Sequence, residues 1–319
     1  MRRASLSRRI VITVHKIDRI LRYMEITPTN IKMLVIDIDG TLLNPQGQIT
    51  PATLASVHAA QQAGIVVTLA TARRYCNTAK IANELGLLGP VILYDGALII
   101  QHPQGTILRR RPLNAQIAQQ GVDLLVRHGI QPVVHPDDGL AEEVWTGQAE
   151  LDNLWLDAYF AAYGDRMRRK PYADLCNGHP DPLRVVAFAS YEAIEGILPE
   201  VATLDCTWTT IKRGSYGSAE LAIMDCGCSK ASGVAALAGS LHIPMQEVMA
   251  LGDNNNDIAM LQAVGWGVAM GQAPAQVKAA ANAVTGSNWE DGVAQAIERY
   301  ALGTASQAAS NSLNRATCL

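Results

Sequence analysis

The stretch from Met33 to Thr41 reads MLVIDIDGT and ends an apolar run on two carboxylates, Asp37 and Asp39. Residues i and i+2 project to the same side of a strand, so both acids can face one pocket. Two acids this close are unfavourable unless they share a proton or a cation. Magnesium suits such a site, because it prefers hard oxygen ligands and keeps waters that a phosphate can displace. Gly40 allows a sharp turn, and the amides from Gly40 to Thr41 can then converge on an anion.

Three more groups of residues fit the same chemistry. Thr71, followed by Ala72 and Arg73, closes a second apolar run and offers a hydroxyl to a phosphoryl oxygen. Asp253, Asn254, Asn255, Asn256 and Asp257 close a late apolar run immediately before a helical pattern. That adds carboxylates for a metal and a helix start that favours negative charge. Lys230 follows Cys228 and Ser229, and its ammonium can neutralise a phosphoryl group in transfer. Each has an ordinary reading when taken singly: a turn, a strand cap, a solvated lysine or an Asx-rich helix start. Together, in this order and each at the end of an element, they point to phosphoryl transfer.

The elements that must position these groups follow from the pattern. Strands are expected over 33–39, 65–71, 90–97, 247–253 and 266–270, and helices over 50–63, 75–85, 256–264 and 290–300. Thr50 is a natural helix cap, with Pro51 behind it and Gly64 to end the helix. This alternation with short links predicts an α/β fold, a doubly wound parallel sheet. Ligands then bind at the carboxyl ends of the strands, where the polar groups lie.

The middle of the chain has a different texture. Residues 113–212 are expected to form a second α/β domain inserted into the first, with strands over 184–190 and 206–212 and helices over 114–128 and 191–202. The catalytic core is then 31–112 plus 213–302, with hinges over 109–113 and 213–218. The stretches 109–111 and 166–170 are read as solvated charged faces, and Arg184 opens an inserted strand from which it could face the substrate, without being assigned to the site. Residues 1–30 read as a basic N-terminal extension, either a transit peptide or a disordered stretch from a start placed too early, and 303–319 as a disordered tail.

Composition bounds the partners. A chain of 319 residues with 49% hydrophobic residues has ample material for two domains. A formal charge of −3 and 5% aromatic residues argue against nucleic acid. No apolar run reaches the roughly 18–20 residues of a membrane span. The six cysteines form no CxxC pair, which favours reduced thiols in a cytoplasmic protein. A monomer or homodimer acting on a small phosphorylated metabolite is the expectation.

Quoted together, these motifs carry a resemblance. IDIDGTLL, LATAR, CSKASGVAAL, GDNNNDIAML, YDGALI and GVAMGQA resemble the motifs of the haloacid dehalogenase superfamily, in its Cof-type sugar-phosphatase branch, over about 33–300. The resemblance implies a nucleophile at Asp37 and a general acid/base at Asp39. It implies phosphate binding by Gly40, Thr41, Thr71, Ala72, Arg73, Lys230 and Asn256, and Mg²⁺ held by Asp37, Asp39 through its carbonyl, Asp253 and Asp257. It further implies hydrolysis of a phosphomonoester such as a sugar phosphate, through an aspartyl-phosphate, beneath a closing cap. Ala72, Asp95 and Gln272 depart from the usual glycine, asparagine and asparagine, and Asp95 is expected to add negative charge near the site mouth. A phosphomutase would use the same residues and yield an isomer in place of free phosphate. A receiver-like regulatory module fits less well, because it lacks an acid two residues after the nucleophile.

Overall fold

The computed structural model describes residue 28 and residues 30–148, 153–161, 163–212, 214 and 217–303. The expected extension over 1–30 and tail over 303–319 lie outside these residues except at 28, 30 and 303. Met33–Ile36 (β1) is fully buried at all four positions because it has a parallel neighbour on each edge. Its alternation splits the strand between two layers. Leu34 and Ile36 join one apolar cluster, and Met33 and Val35 another on the opposite face. Each such side chain removed from water contributes about 1.5–3 kcal/mol.

Pro51–Gln62 (α1) starts where the Thr50 side chain accepts from the Thr53 amide at 3.2 Å, and it stops before Gly64, at φ 80°. Val66–Leu69 (β2) pairs in parallel with β1, and Tyr75–Glu84 (α2) leads to Pro90–Leu93 (β3). β3 meets the sheet through a parallel bridge between Ala70 and Ile92. It ends earlier than expected. Tyr94, Asp95 and Gly96 all have positive φ, which breaks the strand into a tight turn. The chain then forms an antiparallel sheet of β3 with Leu98–Gln101 (β4) and Thr106–Arg110 (β5), two strands the sequence pattern did not announce.

The inserted unit begins with Ala115–Arg127 (α3), capped by the Asn114 side chain. Pro132–His135 (β6), Val144–Gly147 (β7), Leu154–Ala161 (α4), Met167–Lys170 (β8) and Arg184–Ala189 (β9) follow. Tyr191–Val201 (α5), Thr207–Ile211 (β10) and Ala219–Met224 (β11) complete it. The strands form one sheet in the order β10-β11-β9-β6-β7-β8. Val185, Ala187, Leu221 and Ile223 pack on one face in a cluster that also takes residues of α3 and α5. Val186, Phe188 and Ala222 belong to a separate cluster with Tyr159 and Phe160 of α4.

This pairing corrects the expected boundary at 212. β11 pairs with β9 and β10 as far as Met224, so the inserted sheet continues past that point. The stretch 213–218 therefore falls between two strands of the same inserted sheet and not at the return to the core. Arg111 marks the return: it pairs with Asp225 at 2.6 Å and also donates to the Cys226 carbonyl. Arg109 donates to the Ser232 carbonyl at 3.3 Å. The stretch 109–111 therefore ties the two connections together and is not simply a solvated face.

Lys230–Ser240 (α6) opens with a capping box between Ser229 and Ser232. Val248–Gly252 (β12), Ile258–Ala263 (α7), Trp266–Ala269 (β13), Ala275–Ala280 (α8), Ala283–Val284 (β14) and Gly292–Ala296 (α9) finish the chain's regular structure, with wider helical turns over Ile297–Leu302. The parallel sheet runs β14-β13-β12-β1-β2, and β1 is registered against β12 from Met33–Val248 to Ile36–Leu251. Asp37 and Asp253 are thus carried to the carboxyl ends of adjacent central strands. Among the described residues no helix is long and apolar enough to cross a membrane.

Candidate active site

Asp37 is buried one residue past β1, and its backbone amide donates to the Leu251 carbonyl at 3.1 Å. Lys230, the first residue of α6, is 1% exposed and reaches across the strand ends. Its Nζ donates to Asp37 Oδ1 at 2.6 Å and to Asp257 Oδ1 at 2.7 Å. Asp257 Oδ2 accepts from the amides of Asp253 and Asn254, both at 2.9 Å, which shapes the loop after β12. Thr41 Oγ1 donates to Asp253 Oδ1 at 2.9 Å. Gly40 has φ 79° and lies against the Asp253 carboxylate, where a methyl group would collide. A side chain at that position is excluded twice, by conformation and by space.

Carboxylate oxygens of Asp37, Asp253 and Asp257 all lie within 4.8 Å of one another. Burial, then the charges of Asp257, Asp253 and Asp39, push the Asp37 carboxyl well up against the opposing pull of Lys230. Burial, then Asp257, pushes Asp253 up to about 7, with Thr41 and Lys230 acting the other way. Burial pulls the Lys230 ammonium down, but Asp257, Asp37 and Asp95 outweigh it and hold it above its ordinary range. One lysine does not compensate three clustered acids. A divalent cation would, so the donor set fits a hard metal ion.

A stability consequence follows from these shifts. A carboxyl raised in the folded state holds its proton after the unfolded chain has lost it. Stability without metal therefore falls as pH rises from about 4 through about 7. Mg²⁺ should raise the melting temperature more at pH 7.5 than at pH 5, read by thermal melts with and without metal. An equal gain at both would contradict the shared-charge account.

The remaining expected residues lie around this centre. Thr71 is 1% exposed, and its hydroxyl accepts from the Arg73 amide at 3.1 Å, which leaves its own proton to donate elsewhere. Asp39 is not part of the three-carboxylate group. Its side chain is turned to Arg73, which holds it through two bonds of 2.7 and 2.6 Å at the rim. Gln272, one of the departures, donates to the Gly40 carbonyl at 2.5 Å and so braces the same turn. Asn256 is buried and donates to Asp95 Oδ1 at 3.0 Å.

Asp95 itself is 2% exposed, so it does not charge the site mouth as expected. Its Oδ2 faces Arg184 of the inserted sheet at 3.5 Å, and that guanidinium also lies 4.9 Å from the Tyr94 ring centre. The sequence reading left Arg184 out. An acid where the resembled motif has an asparagine was the available signal for a nearby cation. A cavity of about 440 Å³ runs from Asp37, Asp39, Thr71, Ala72 and Lys230 up to Arg184 and the β9–β11 face of the inserted sheet. Arg74, 5% exposed, lines the same cavity with its guanidinium 3.8 Å from the Tyr163 ring centre.

The chain belongs to the haloacid dehalogenase-like hydrolase family, whose model matches residues 34–297. It is 27% identical over 281 residues to the pyridoxal phosphate phosphatase YbhA of Escherichia coli, covering 83% of this chain and 97% of that protein. It is 28% identical over 276 residues to the 5-amino-6-(5-phospho-D-ribitylamino)uracil phosphatase YcsE of Bacillus subtilis, covering 86% and 97%. Among solved structures, a haloacid dehalogenase-like hydrolase from B. subtilis matches with a TM-score of 0.69 at 26% identity, over 84% of this chain and 99% of that one. A subclass IIB sugar phosphatase shares the fold with a TM-score of 0.70 at 22% identity, over 85% and 99%. The chain is accordingly a phosphoric monoester hydrolase with an α/β core and an inserted α/β cap.

Proposed function

We propose that this enzyme is a Mg²⁺-dependent phosphatase of small phosphorylated metabolites, with Asp37 as nucleophile and Asp39 as acid and then base. The observation that carries the reading is the meeting of Asp37, Lys230, Asp253 and Asp257 at the ends of β1 and β12, beneath a cavity roofed by the inserted sheet. Residues 113–224 act as the cap over a core of 31–112 and 225–302. Asp37, Asp253, Asp257 and the Asp39 carbonyl would hold Mg²⁺, which would neutralise phosphoryl charge.

The chain's own groups perform the steps. An Asp37 carboxylate oxygen attacks phosphorus in line, and the bond from phosphorus to the ester oxygen breaks. The electron pair stays on the leaving oxygen, which takes a proton from Asp39. Lys230, the Thr71 hydroxyl and the amides of Gly40 and Thr41 hold the phosphoryl oxygens. An entering phosphate dianion offers Arg73 a second partner and loosens its grip on Asp39. Asp39 then takes a proton from water, which attacks phosphorus and returns Asp37 as a free carboxylate. The cap excludes bulk water and contacts the leaving group. The relatives' named substrates, pyridoxal phosphate and a phosphoribitylamino-uracil, are small phosphomonoesters, and we place the substrate here in that size class, sugar phosphates included.

EDTA should silence release of orthophosphate and Mg²⁺ should restore it, whereas Ca²⁺, with its looser and higher coordination, should inhibit. An enzyme indifferent to chelation, or one that returns an isomer in place of orthophosphate, would overturn the reading.

A further inference from the structure

We propose that Arg184 reads the leaving group, and that the site prefers phosphomonoesters whose leaving group carries an anionic oxygen. This rests on the phosphatase reading above and goes beyond it to the substrate class. The strand register sets the stage. Arg184, Val186 and Phe188 alternate along β9, so they share one face of the inserted sheet. Ala222 and Glu220 of β11 stand opposite Val186 and Phe188, and Thr209 and Ile211 of β10 stand opposite those in turn. All seven line the cavity above Asp37. Most of this wall is apolar or aromatic. Its acid, Glu220, lies with its carboxyl group against Gly214.

Arg184 is different in kind from its neighbours. It is 8% exposed, and its Nε–H has no hydrogen-bond partner among the described residues. A buried charged donor left unmet is unfavourable, and arginine presents its donors as a rigid fork suited to a carboxylate or phosphate. Its contact with Asp95, at 3.5 Å, is longer than the 2.7–2.9 Å or so of a good charge-assisted bond. Asp95 is already shared, because Asn256 donates to its other oxygen. The pair orients Arg184 over the phosphate site without saturating it. Arg74, also buried in the wall, adds a second guanidinium; burial first, and then the charges of Arg184 and Arg74, discourage protonation of His135. The chamber thus sets two guanidiniums beside the acids Asp95 and Glu220 in a largely apolar wall, and the unmet Nε–H of Arg184 favours an anionic oxygen over a neutral polyol.

The test uses 3- and 4-carboxyphenyl phosphate, each against the carbamoylphenyl phosphate of the same shape. The native enzyme should favour the carboxylate of at least one pair by about tenfold in kcat/KM, expressed mainly in KM, the value of one charge-assisted bond. Arg184→Gln should bring that ratio to about one, and Arg184→Lys should keep part of it. Asp95→Asn should raise the ratio, because the arginine loses its internal competitor; a general loss of folding cannot move the two variants in opposite directions. Calorimetry with the corresponding benzylphosphonates, which cannot be hydrolysed at the P–C bond, reads the same ratio as binding. A binding preference without turnover would retain this inference and sink the phosphatase reading. Turnover with no preference in the native enzyme, or a preference that survives Arg184→Gln, would overturn the inference and spare that reading.

Discussion

Asp37→Asn should lower phosphate release by at least about 10³-fold, in line with nucleophile removals elsewhere. A neutral amide neither attacks phosphorus nor holds a cation as a carboxylate does. The fold should survive, because Lys230 keeps its bond of 2.7 Å to Asp257. The protein without metal should even melt at the same or a higher temperature, since burial already pushes the Asp37 carboxyl toward its neutral form. Phosphate release and a thermal melt on the same sample check both halves. Activity within tenfold of the native enzyme would remove Asp37 from the role.

The second large effect depends on the substrate. For an alkyl ester such as a sugar phosphate, the leaving alkoxide is a strong base and needs a proton. For p-nitrophenyl phosphate the leaving phenolate is already stable. Asp39→Asn should therefore slow phosphoenzyme formation at least about 10²-fold for the alkyl ester and far less for the nitrophenyl ester. Rapid-quench single turnovers of both esters measure this. Equal slowing would mean that another group supplies the proton, with the cap the place to search.

The core of the site was legible because its groups sit at the ends of strands whose apolar runs are unmistakable. MLVI placed Asp37 and Asp39, and VMALG placed Asp253 and Asp257, since a fully buried parallel strand has little freedom of register. The turn at Tyr94 was missed. The apolar run 90–93 carried the expected strand on to 97, past the Asp95–Gly96 turn signal, and the folded backbone shows three consecutive positive φ values there. The strands β4 and β5 were lost with it. The cap's end was misplaced for a related reason: the glycines and serines of 213–218 read as a hinge, while the pairing of Ala219–Ile223 with β9 is a long-range contact. The Asp95–Arg184 contact spans 89 residues and belongs to no local motif, so a sequence could hint at it only through the unusual acid. The orientation of Asp39 toward Arg73 was equally out of reach, because it depends on where the loop after β2 carries a long side chain.

The central claim is that the phosphoryl group passes through Asp37. In Asp39→Asn, p-nitrophenyl phosphate should still form the phosphoenzyme, while its hydrolysis lacks a base. The direct measurement is an acid quench of that variant with excess ester and Mg²⁺, then digestion and mass spectrometry of the peptides. The account predicts one phosphoryl group on the peptide that carries Asp37, and none when Asp37→Asn is added to the same protein. Nitrophenol released with no phosphoryl peptide, or with the group on any other residue, would contradict it.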